Sequence, residues 1–207
     1  MTVDVGRTAL NALCLVLFSG CALFSPVRID TKKNVLNNVP LDLPSENARS
    51  APPRSATLLV LIPETAPVYA TTQMAYTTRA YQIAYFGQNE WAETPSQMIQ
   101  PLIVKTLQNT HYFSEILSPP SVGRHTFSLR IEIQELMQDF TSTPAMLQLT
   151  MRFYLIREET NQVIGTNELS MREPMSERNP YAGVVAANEA LAKLLRELAK
   201  FVVEKAD

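Results

Sequence analysis

Apolar and polar positions along the chain follow two rhythms, one of period two and one of three to four. Ala56–Ile62 is a continuous apolar run stopped by Pro63, the pattern of a strand covered on both faces. His125–Gln138 alternates Phe127, Leu129, Ile131 and Ile133 with Ser128, Arg130, Glu132 and Gln134, which predicts a strand with one wet face. Pro144–Arg157 reads as apolar on both faces and therefore central. Glu158–Asn161 reads as a turn and Gln162–Met171 as the returning hairpin strand. Shorter strands are expected at Lys33–Val39 and Ala80–Phe86, the latter followed by a turn at Gly87–Glu90.

The helical rhythm appears twice. Thr94-Pro95-Ser96-Gln97 combines a capping threonine, a first-turn proline and a glutamine that can bond back. Met98, Ile99, Leu102, Ile103 and Leu107 then share one face. Pro101 lies inside this pattern, so a kink or split first turn is expected, with fraying near Asn109-Thr110. Asn179-Pro180 opens the second helix, whose stripe is Tyr181, Val184, Asn188, Leu191, Leu195, Leu198 and Val202, widened by Val185, Leu194 and Phe201. A stripe that wide suits packing on a sheet. The fold class expected is α+β: a mixed or antiparallel sheet with two main helices packed on it.

The N-terminus breaks both rhythms. Ala9–Phe18 is a short apolar run after Arg7, closed by Leu17-Phe18-Ser19-Gly20-Cys21, the form of a bacterial lipoprotein signal. The run is about half the ~20 residues that a spanning helix needs. Cleavage before Cys21 would free its amino group and leave its thiol for diacylglycerol and a palmitate-type anchor. Acyl chains contribute roughly 0.8 kcal/mol per buried methylene. The expected division is a signal peptide at 1–20, a lipidated N-terminus and flexible linker at 21–55 and a domain at 56–207. Ala22, rather than Asp, follows the cysteine, which favours the periplasmic face of the outer membrane. Pro, Ser and charge concentrate at 40–55, the basis of the linker reading.

Composition narrows the chemistry. Cys14 leaves with the signal, so no thiol remains for a disulfide, redox or zinc site. The net charge of −2 supplies no strong field for nucleic acid. His111 and His125 lack ligand spacing, and six glycines include no phosphate-cradling motif. Glu132 and Glu135 could face a cleft, but exposed strand positions explain them better, and Glu158-Glu159 fits a solvated turn. No catalytic, cofactor-binding or metal residue is expected. Cys21, as a lipidation site, is the one candidate site residue. Met98, Leu102, Leu147 and Met151 could wall a lipid pocket, but the same pattern describes an ordinary core.

Ile83–Leu117 carries a more specific pattern. Arg79, Tyr81 and Tyr85 precede Trp91, Pro95-x-x-Met98 and Gln100-Pro101-Leu102, and a helix leads to Phe113. A strand with Gln134-Glu135 then ends in Asp139-Phe140, and Arg172-Glu173-Pro174 precedes the last helix. Over about residues 33–203 the chain resembles the ABC-type transport auxiliary lipoproteins, the PqiC-like family. The resemblance implies a fold similar to the N-terminal domain of TolB, no catalytic residues and an outer-membrane anchor. It also implies partners: a mammalian-cell-entry-type substrate-binding protein with its ABC permease and ATPase, moving lipids or other hydrophobic compounds. A homo-oligomer is a further possible assembly. The alternative is an envelope assembly or stabilising lipoprotein unrelated to transport.

Overall fold

A computed structural model of the chain describes residues 30–40, 56–120 and 123–207. Thr31–Asp207 form one folded unit; of the other, Met1–Asp30, only Asp30 is among the described residues. The element order is β1 (Lys32–Asn34), β2 (Thr57–Val60), β3 (Glu64–Thr65), β4 (Gln73–Thr77), β5 (Ala84–Trp91), the helix α1 (Pro95–Gln108), β6 (Glu115–Leu117), β7 (Phe127–Asp139), β8 (Met146–Arg157), β9 (Gln162–Pro174) and the helix α2 (Pro180–Ala206). This is the expected α+β class, with two helices on a mixed sheet.

The sheet is organised around β7. One flank carries β8 antiparallel along its length, and β9 continues antiparallel outside β8. The other flank carries β2, β3 and β4 in succession, all parallel to β7. Outside these, β6 adds parallel to β2, β5 antiparallel to β4, and β1 parallel to β5. Period-two side chains put Phe127, Leu129, Ile131 and Ile133 on one face with Leu147, Leu149, Met151, Phe153 and Leu155 of β8, all buried. Both helices cover this face. Ile99, Ile103 and Leu107 of α1 and Leu191, Leu194, Leu195 and Leu198 of α2 join the same core. The wide stripe on α2 therefore packs on the sheet, as its width suggests.

A register shift between Ile133 and Glu135 reverses the alternation on β7. Before it, odd-numbered residues face the helices. After it, Leu136 and Gln138 do, and Glu135, Met137 and Asp139 turn to the helix-free face. Such an extra residue re-aims the side chains that follow it.

Both helix starts form as their sequences suggest. The Thr94 amide donates to Gln97 Oε1 at 3.1 Å, and the Ala182 amide to Asn179 Oδ1 at 2.8 Å. Other expectations are corrected. β1 covers only three residues, and α1 is continuous through Pro101. Gly87–Glu90 is not a turn but the middle of β5; its polar side chains fit a strand exposed near the sheet margin. The turn lies earlier, at 78–82, and β4 precedes it. β8 is not apolar on both faces: Gln148, Thr150 and Arg152 lie half-buried on its outer side. Within the α2 stripe, Tyr181 is exposed and Asn188 is half-buried. Leu36 is in the core, so residues assigned to the linker up to Pro40 belong to the fold. Residues 41–55 lie outside the described residues.

Candidate functional site

On the helix-free face, the re-aimed end of β7 forms one wall of an open cleft of about 450 Å³. Glu135, Met137 and Asp139 face the turn that joins β4 to β5. That turn is tied by Thr77, whose hydroxyl donates to the Arg79 carbonyl at 2.7 Å, and by the Gln82 amide, which donates to the same carbonyl at 3.3 Å. Tyr81 takes a positive φ of 65° at its tip. That conformation is uncommon for a residue bearing a Cβ. Its ring is fully exposed, and Ile83 beside it is 42% exposed. Tyr69 forms the floor, on a loop held by the Tyr85 hydroxyl, which donates to the Val68 carbonyl at 2.8 Å.

The two acids differ in surroundings. Asp139 is buried and accepts from the Thr141 amide at 2.8 Å, the Thr141 hydroxyl at 2.6 Å and Gln148 Nε2 at 2.9 Å. Glu135 has a single long bond, from the Thr150 hydroxyl at 3.3 Å. Burial raises the Glu135 carboxyl above its ordinary value, against the Thr150 bond and the Arg172 charge, and Asp139 adds to the rise. Burial, then the nearby Glu135 and Tyr85, push the Tyr69 phenol up to about 12.

Behind this wall the turn is braced by aromatic rings. Tyr76 stacks on Phe86 with centroids 4.3 Å apart, and Phe140 meets both edge-on at 6.1 and 6.3 Å. The Arg178 guanidinium lies 5.4 Å from the Phe140 centroid and donates to the Ser142 carbonyl at 3.0 Å. The cleft is thus a preformed concavity with an apolar lip, made by packing that the core enforces.

A second feature lies where the N-terminal segment joins the fold. Asn188 of α2 receives the amides of Asn37 and Asn38 on its Oδ1, at 2.9 and 3.2 Å, and its Nδ2 donates to the Val35 carbonyl at 3.1 Å. One side chain thus pins Val35, Asn37 and Asn38, which lie just past the end of β1. In the sequence Asn188 figures only as a member of the α2 stripe, and Ile83 only as the start of the Ile83–Leu117 pattern. A polar residue inside an otherwise apolar stripe was the available signal for Asn188.

Cys21, the sequence-predicted site residue, lies outside the described residues. Of the residues carrying the family resemblance, Arg79, Tyr81, Tyr85, Asp139, Phe140 and Arg172 gather at or around the cleft. Trp91, Pro95 and Met98 are buried. The prospective lipid-pocket residues Met98, Leu147 and Met151 are core, with Leu102 packed against them. His125 places Nε2 3.0 Å from the Ser128 hydroxyl, which donates to Glu158. His125 Nδ1 lies 2.8 Å from the Gly123 carbonyl. Ser128 is buried with its proton committed to Glu158, so these contacts tie the β8–β9 turn to the start of β7. Glu158 is accordingly not merely solvated. Among the described residues, no group of three or more His, Cys, Asp or Glu is placed to hold a metal ion, and no helix is long and apolar enough to cross a membrane.

Known structures share this architecture. A protein of Xanthomonas campestris assigned to the DUF330 family superposes with a TM-score of 0.70 at 15% identity, over 84% of this chain and 95% of that one. An uncharacterised protein gives a TM-score of 0.62 at 14% identity, over 78% of this chain and 99% of that one. A hypothetical protein of Chlamydia trachomatis gives 0.51 at 11% identity, over 73% and 98%. These likenesses concern the fold. No curated protein matches the chain. The sequence of residues 41–199 matches the family described as the ABC-type transport auxiliary lipoprotein component, which takes in the cleft, α1, most of α2 and every strand except β1. The chain belongs to the ABC-type transport auxiliary lipoprotein family.

Proposed function

We propose that the chain is acylated at Cys21, anchored in the outer membrane on its periplasmic face, and serves there as the non-catalytic auxiliary component of an ABC transport system. Its partners on this reading are a mammalian-cell-entry-type substrate-binding protein and the associated permease and ATPase, and the cargo is lipid or another hydrophobic compound. The observation that carries the reading is the family match over residues 41–199. The cleft supports a docking role rather than a carrier role, because its apolar lip, Tyr81 and Ile83, stands in solvent while the suspected lipid-pocket residues fill the core. An exposed aromatic beside an aliphatic residue over a concavity is the kind of anchor that interfaces concentrate energy on. The outer edge of β9, which pairs with no other strand among the described residues, would accept an added strand from a second copy or from a partner.

The test is recovery of partners with the acylated protein from membranes in mild detergent, read by mass spectrometry. Co-purification of a mammalian-cell-entry-type protein, weakened by Tyr81→Ala with Ile83→Ser, is the expected result. Recovery of outer-membrane assembly proteins alone, under conditions that keep known envelope complexes intact, would favour the alternative of an assembly or stabilising lipoprotein.

A further inference from the structure

We infer that the surface formed by β1 and the first turns of α2 rests on the lipid headgroups of the membrane that holds the chain. This inference builds on the acylation of Cys21 proposed above. Cys21 precedes Lys32 by eleven residues. That length spans at most about 40 Å fully extended and about 18 Å as a coil. At Lys32 the chain is already fixed: β1 is laddered to β5, and Asn188 clamps the residues that follow. The region around β1 is therefore the part of the domain kept nearest the anchor.

The side chains found there suit a headgroup layer. Tyr181 is 69% exposed, Val35 49% and Val185 42%, and these three large side chains lie together around the same depression. Tyr181 and Val185 are four apart and share a helix face. Tyr181 lines one shallow depression with Lys32 and a second with Lys33 and Val35, so the patch is continuous. A phenol ring offers an apolar body and a polar tip, the combination that settles at a membrane interface. Lysines can lay their stems on the acyl boundary and keep their charge among phosphates. Lys33 pairs with Glu90 at 2.5 Å, and Glu189 lies at the rim, so the patch has no strong net charge and its attraction is mainly apolar. Three side chains would not hold a protein on a bilayer unaided. Beside a covalent anchor they act at high local concentration and have only to bias orientation. The patch lies on the helix side of the sheet, which leaves the cleft on the other face open.

The mature chain has no cysteine besides Cys21, so an engineered cysteine gives a unique thiol for an environment-sensitive fluorophore. One protein carries it at Glu189→Cys, on the rim of the patch. A second carries it at Val163→Cys, close to Gly165, which packs on Lys205 near the other end of the 27-residue α2. The full acylated chain is inserted into phosphatidylethanolamine/phosphatidylglycerol vesicles with brominated acyl chains, and its acylation is verified by intact mass. The expected result is severalfold stronger quenching at position 189 than at 163. Adding Tyr181→Ser and Val185→Ser to the Glu189→Cys protein should bring its quenching down to the level at 163. Equal quenching at the two positions, in protein whose mass includes the acyl chains, overturns the orientation and leaves the anchor standing. A full-length mature chain without acyl mass overturns the anchor, and this inference with it.

Discussion

Asn188 shows how much one side chain can carry. It bonds Asn37, Asn38 and Val35 and also donates to the Val184 carbonyl of its own helix at 3.0 Å. Asn188→Ala leaves two amides and a carbonyl of the N-terminal segment without their partners. The expected loss is about 1–3 kcal/mol, since stranded polar groups cost more than the bonds themselves. It should appear as a lower unfolding midpoint and as faster hydrogen exchange at the Asn37 and Asn38 amides. Unchanged exchange there would mean that β1 pairing alone holds the segment. Tyr81 and Ile83 sit at the opposite extreme. Their exposure predicts a stability change within about 0.5 kcal/mol on Tyr81→Ala or Ile83→Ser, so a loss of partner recovery in those variants would report on docking and not on folding.

Glu135 makes stability depend on pH in a direction that can be worked out. Its folded pKa is raised, so folding favours the protonated acid. That contribution is full below the ordinary carboxylate range and is lost as pH rises through the raised folded value. Near neutrality this half-buried acid therefore carries a cost that a neutral side chain would not. Glu135→Gln should raise the unfolding midpoint at neutral pH, and the gain should vanish in acid, where both side chains are neutral. A gain of the same size at both pH values would trace to shape and not to charge. Tyr69 gives a second window: its phenol, at about 12, contributes fully below its ordinary value of 10 and loses its contribution as pH climbs through 12.

At the scale of elements, the helices were legible because their signals are local. A cap, a first-turn proline and a periodic stripe all fall within a few residues, and Thr94-Pro95 and Asn179-Pro180 start helices as expected. The long strands β7, β8 and β9 were legible from their length. The cleft was not, because it depends on the register shift before Glu135, and nothing in Ile133-Gln134-Glu135-Leu136 marks an extra residue. β4 was missed and β5, expected at Ala80–Phe86, was misplaced for a related reason. They are held by pairing with distant strands, so their own composition, with Gly87-Gln88-Asn89 in the middle of β5, resembles a turn. Gly183 links the two kinds of element. A Cβ there would lie 2.0 Å from Gln138 Cδ, where α2 crosses β7 and Gln138 Nε2 donates to the Pro180 carbonyl at 3.1 Å. Gly183→Ala must displace a buried amide and break that bond. An expected cost of about 1–3 kcal/mol would show in a denaturant titration, with the first turn of α2 losing exchange protection first.

For the whole molecule, the decisive question is which stretch of chain sets the distance between anchor and domain. Composition points to the Pro- and Ser-rich residues 40–55. The structure assigns both ends of that stretch to one folded unit: Leu36 before it is in the core, and β2 after it lies beside β7. Residues 41–55 therefore connect two fixed points, and lengthening them leaves the domain where it was. Only residues 22–31 separate Cys21 from β1. Inserting about 20 Gly/Ser residues there raises the coil reach from about 18 to about 30 Å. On the anchored reading, that insertion should free the domain from its preferred orientation, lowering lipid quenching at position 189 and weakening partner recovery from membranes. The same insertion after Ser45 should change neither, because a longer loop between fixed ends costs little. If the two insertions behave alike, the anchor does not orient the domain, and the cleft must find its partner without help from the membrane.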